Sequence, residues 1–180
     1  MTPLALASVL RPLPLLAEEF GLDWRRLLLD ARLDWGMLEQ PGVSVPAARV
    51  AAVLEMAALR AGVDSFGLRM AAQRRLSDLG PVGLLIRDQP TLRQALQTLQ
   101  DSYHRASTTT WVQLDEGSDP VQMRLAVRTG DSAPARQANE MALGSLLMVL
   151  RGYLGPQWQP RFALFEHAAP RDLSWHLRLF

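Results

Sequence analysis

Apolar positions along this chain recur with two different periods, and the change falls near residue 107. Before it, stripes at steps of three and four predict helices. Val50, Val53, Leu54, Ala57 and Ala58 form one such stripe, opened by Ser44-Val45-Pro46 and stopped by Gly62. A further helix is predicted over 65–75, with Phe66 and Met70 inward. Thr91 caps another, in which Leu92, Leu96, Leu99 and Tyr103 share a face while Arg93, Gln97 and Gln100 take the wet side. Two brief helices are predicted earlier, over 24–31 and 35–40, each introduced by a Leu-Asp-Trp triplet. In each triplet Asp caps the helix while Leu and Trp turn inward. Three consecutive leucines, Leu27, Leu28 and Leu29, predict cover on more than one side of the first helix.

After residue 107 the period becomes two. Residues 109–114 read as a strand with Val112 and Leu114 on one face and Trp111 and Gln113 on the other. Residues 115–120 have turn chemistry, and Val121, Met123, Leu125 and Val127 then alternate with polar or small neighbours, completing a β-hairpin. Ser132-Ala133-Pro134 starts the longest helix, which runs to Leu154 and stops at Gly155-Pro156. Its apolar positions exceed one stripe, so it is either deeply buried or shared between the sheet and a partner. A last strand is predicted over 161–167, with Phe162 and Leu164 opposed to Phe165 and His167, and a helix from Asp172. The expected fold is a single α+β domain: a helix-rich N-terminal layer over 1–106, then a small antiparallel sheet with a long packing helix over 107–180.

Composition narrows the function classes. With 48% hydrophobic and 21% charged residues, the 180-residue chain can bury a sizeable core. A net charge of +1 argues against a self-sufficient nucleic-acid binder. Every basic residue other than histidine is arginine, which suits anion recognition but equally reflects compositional bias. The absence of cysteine excludes disulfides and thiolate metal sites. The apolar N-terminus is broken by Arg11 and two prolines, and no run reaches the roughly 18–20 apolar residues of a membrane span, so a cytoplasmic location is expected.

Catalytic signatures are missing. No G-x-S-x-G elbow or phosphate-cradling glycine loop occurs, and the Glu18-Glu19 pair reads as solvated charge. His104, His167 and His176 show no metal-ligand spacing. No enzyme activity, metal or cofactor is expected. His104, at the end of an apolar helix, leaves a haem- or gas-binding sensor as an alternative, against a plain histidine at a helix terminus. A ligand-free dimerisation module is a second alternative.

The segments GLDWRRLL, VPAARVAAVLEMAA, DSFGLRMA, DLGPVGLLIRDQPTLRQALQTL and FEHAAPRDLSWHLRLF, in this order and spacing, resemble the N-terminal effector-binding domain of AraC-type bacterial transcription regulators. The resemblance implies a small-molecule effector, homodimerisation, and transcription control through a helix-turn-helix DNA-binding domain not present in this chain; whether the last sheet strand is missing too is left open by the sequence. A pocket between the helical layer and one sheet face brings Phe66, Met70, Tyr103, Trp111, Met123 and Phe162 into consideration as walls. Arg105, Gln113 and His167 are the candidate polar contacts. Each of these is also an ordinary core or surface residue. Ala138, Met141, Ser145, Met148 and Gly152 form a small-residue stripe on the long helix, suited to a dimer contact or to packing within the domain.

Overall fold

Both Leu-Asp-Trp triplets start helical turns, because each aspartate supplies an acceptor to an otherwise unpaired backbone N–H. Asp23 accepts from the N–H of Arg26 at 3.1 Å and opens α2, Trp24–Asp30; Asp34 accepts from Gly36 at 2.7 Å and opens a 3-10 turn, Trp35–Glu39. The computed structural model describes residues 2–40, 42–79, 81–106, 109–130 and 135–180, with the backbone alone at residue 77 and residues 103–106. Leu27 and Leu28 are fully buried, but Leu29 and Trp35 are about half exposed, so the expected cover on more than one side is absent and the second tryptophan faces outward. A helix this short has one buried face, and Met37 and Leu38 fill the place expected of Trp35.

A short strand, β1 (Leu4–Leu6), pairs antiparallel with β2 (Ser44–Pro46) around α1 (Leu13–Glu19) and α2. Ser44-Val45-Pro46 is thus a strand rather than the first turn of α3 (Ala47–Ala61), and Pro46 is its N-cap. All five predicted stripe residues of α3 are buried, and Gly62 ends it in the left-handed conformation (φ +66°) that glycine tolerates. Then follow α4 (Phe66–Gln73), a 3-10 turn (Leu76–Leu79), α5 (Pro81–Arg87) and α6 (Leu92–Ala106). Thr91 caps α6 reciprocally with Gln94: the Gln94 N–H reaches the threonine oxygen, and the hydroxyl donates to the Gln94 side chain.

The predicted hairpin is present as β3 (Thr110–Asp115) and β4 (Gln122–Val127), with Val112 opposite Leu125 and Thr110 opposite Val127. The longest helix, α7 (Arg136–Leu154), joins two hydrophobic cores. Its early residues Ala138 and Met141 enter a core built by α1 to α4; its later residues Leu146 and Val149 enter one built by α5, α6 and β3. Packing against α4 is close enough to require glycine: a Cβ on Gly67 would lie 2.1 Å from the Gln137 carbonyl oxygen, and one on Gly144 would lie 2.7 Å from the Ala71 Cβ. Tyr153, near the end of α7, directs its hydroxyl to the Ile86 and Gln89 carbonyls at the end of α5.

Residues 161–167 form no strand. The expected alternation is real, with Phe162 and Leu164 outward and Phe165 and His167 inward, but the segment joins no ladder with any described strand. It folds back over α7 and leads into α8 (Ser174–Leu179), which begins where Asp172 accepts both the N–H and the hydroxyl of Ser174. These bonds hold the Asp172 carboxyl below the usual carboxylate range.

Candidate ligand cavity

Where the two cores meet, packing is incomplete and a cavity of about 90 Å³ remains. That is several times the ~10–15 Å³ that admits a single water. Val50 and Met141 line it from the first core, Leu99, Val112 and Leu146 from the second. The hairpin supplies one wall through two facing pairs, Thr110 with Val127 and Val112 with Leu125, as the period of two requires.

Polar groups enter from the chain just after α4. Arg74 lies at the C-cap, and its guanidinium donates to the Ser145 hydroxyl at 2.8 Å and the Asp78 carbonyl at 3.3 Å. Ser145 in turn donates to the Met141 carbonyl at 2.6 Å, so the arginine is tied to α7. Asp78, buried, accepts the Arg75 N–H at 2.8 Å and lies 3.8 Å from the Arg11 guanidinium; its carbonyl also takes the Ser8 hydroxyl. Thr109 and Thr110 add two hydroxyls to the lining. Arg74 and Asp78 thus place charged groups, with Arg11 beyond Asp78, beside a largely aliphatic space.

A second polar cluster is fully packed. Glu140, completely buried on α7, has one oxygen 3.1 Å from the Arg136 guanidinium, 3.1 Å from His176 and 3.3 Å from His167. His176 makes a hydrogen bond, whereas His167 approaches without hydrogen-bond alignment. Phe165 lies against both imidazoles. Nearby, Arg69 is held between Phe20 and Trp175, and burial lowers its pKa against the opposing pull of Asp172 and Glu19. These contacts clamp residues 156–180 onto α4 and α7, an arrangement that Arg151 extends by donating to the Trp158 and Leu179 carbonyls.

Of the residues expected to line a pocket, those whose side chains are described do not border this cavity. Phe66 and Met70 are fully buried in the first core, and Met123 packs in the second without reaching the cavity. Trp111 and Gln113 occupy the outer face of β3, Phe162 is half exposed, and His167 faces Glu140. The side chains of Tyr103, His104 and Arg105 fall outside the described residues, as does the predicted helix start at 132–134. The stripe expected to suit a dimer contact is turned inward at Ala138, Met141 and Ser145, which line the cavity; Met148 packs near Leu68 and Leu147, and only Gly152 is exposed. Sequence reasoning passed over Arg74, Asp78, Thr109, Thr110 and Glu140. The Arg74-Arg75 pair directly after an apolar helix was the available signal for the first.

Residues 21–180 match the N-terminal arabinose-binding domain of AraC transcription regulators, and the chain belongs to that family. It is a ligand-binding regulatory domain of a transcription regulator. Among curated proteins, no sequence matches the chain. No helix among the described residues is long and apolar enough to cross a membrane.

Proposed function

We propose that this chain senses a small-molecule effector in the cavity between its two cores and passes the result to a DNA-binding domain. The observation that carries this reading is the cavity itself: largely aliphatic walls with a few convergent polar groups, the usual composition of a small-molecule site. Reading DNA is assigned to a separate domain, since a net charge of +1 lacks the basic excess that duplex binding uses. Regulation requires that the effector bind two arrangements of the protein unequally. An occupant touching both cores and α7 has the contacts to do so.

The test is a thermal-shift and native-mass screen of small metabolites on the wild type and on Val112→Phe, which fills the cavity. A specific ligand at a hundred times its dissociation constant adds about 2.7 kcal/mol of stability. Val112→Phe is expected to fold and to lose that response. No ligand in a broad screen, or equal binding by the filled variant, would remove this reading.

A further inference from the structure

We infer that the occupant is a compact, uncharged and apolar molecule held by the aliphatic walls; this rests on the cavity being the effector site. Among the described residues the lining is alanine, valine, leucine and methionine except at Arg74, Asp78, Thr109, Thr110 and Ser145. Those five are engaged with the protein itself. Arg74 donates to the Ser145 hydroxyl and the Asp78 carbonyl, and Ser145 donates onward to the Met141 carbonyl. The Asp78 carboxylate takes the Arg75 N–H and faces the Arg11 guanidinium. The Thr109 and Thr110 hydroxyls meet at 3.5 Å, and both Arg74 and Thr109 have partners besides these. The backbone of the hairpin wall is committed as well. It pairs along the ladder from Thr110 to Asp115, the Thr109 carbonyl accepts the Arg128 N–H at 2.6 Å, and the Val127 N–H goes to the Asn139 side chain at 3.2 Å.

A ligand leaving water needs a new partner for each polar atom that it buries. Where the polar groups of the walls are already engaged, oxygen and nitrogen on the occupant weaken its binding, while added carbon strengthens it. A charged occupant meets a like charge whichever sign it carries, since Asp78 opposes an anion and Arg74 a cation. A pentose, with an oxygen on nearly every carbon, is disfavoured as strongly. Size adds a limit: an apolar cavity of ~150 Å³ stays dry and accepts benzene or xenon, and this one is about 90 Å³.

The experiment follows the methyl NMR signals of the wild-type chain and of Val112→Phe as xenon, benzene, phenol, benzoate and L-arabinose are added in turn. Xenon and benzene are expected to shift the signals of Val50, Leu99 and Leu146 in the wild type and to leave them unmoved in Val112→Phe. Phenol should bind at least tenfold more weakly than benzene, with benzoate and L-arabinose weaker still. Because the probes are compared on the wild type, a misfolded Val112→Phe does not decide the outcome. Phenol, benzoate or L-arabinose binding as tightly as benzene would overturn the apolar assignment, and so would benzene and xenon leaving the wild-type signals unmoved. A charged or sugar-like metabolite that binds the wild type and is lost in Val112→Phe would overturn it too, while keeping the cavity as the effector site. If no probe binds and the metabolite screen is also empty, the site reading fails along with it.

Discussion

Glu140 is fully buried in α7, and Arg136, His167 and His176 converge on one of its oxygens. Removing the carboxylate takes from Arg136 and His176 the buried acceptor they share and leaves Arg136 only Asp64, a loss approaching the ~3–5 kcal/mol of a broken buried pair. Glu140→Ala should therefore lower the urea midpoint sharply, and Glu140→Gln, which keeps an acceptor oxygen and the shape, should lower it less. A midpoint for Glu140→Ala close to that of the wild type would show that the cluster adds nothing to stability. The sequence carries no sign of this, because Arg136 and Glu140 stand at the i,i+4 spacing that an ordinary pair on a wet helix face also has. Burial decides their role, and it comes from a segment 27 to 36 residues further along the chain, at His167 and His176. Arg74 escaped notice for a related reason: a residue at a helix end has no periodic neighbour to say which way it points.

Among elements, the α4–α7 contact depends on two glycines, Gly67 and Gly144, whereas a third on α7, Gly152, looks like them in sequence and stands in open space. Gly67→Ala would drive a methyl into the Gln137 backbone and Gly144→Ala into Ala71, each overpacking the interface at a cost of about 1–3 kcal/mol or more. Gly152→Ala meets nothing within 4 Å and should raise stability by up to about 1 kcal/mol through helix propensity alone. Calorimetric melting of the three variants distinguishes them by sign. Tyr153 ties α7 to the end of α5, and burial followed by the Asp88 charge raises its pKa, so the fold prefers the neutral phenol. Its contribution is complete below the ordinary tyrosine value of about 10 and fades as the pH rises through the raised one. Tyr153→Phe should cost about 1 kcal/mol near neutrality, with the gap to wild type narrowing in alkali, as urea melts at several pH values would record. The hairpin and the helix stripes were readable because their periods fix which side is buried. The pairing of β1 with β2 was not, since three residues are too few to show an alternation. Residues 161–167 show the converse, because alternation names a buried side without supplying a neighbouring strand.

For the molecule as a whole, the α+β class follows from the order of periods along the chain, while the cavity follows from how two cores fail to close on each other. That failure has no sequence signature: its aliphatic lining is made of the same residue types as solid core. Filling it should unite what the empty protein holds apart. Amide hydrogens on α6 and the hairpin belong to one core and those on α3 to the other, so without an occupant the two groups are expected to exchange through separate openings. A bound effector resting on Val50 from one side and on Leu99 and Val112 from the other makes every opening of either core also a release of the ligand. Exchange in both groups should then slow together and by the same factor, set by ligand concentration. The seam between the cores thus determines whether the protein unlocks in parts or all at once.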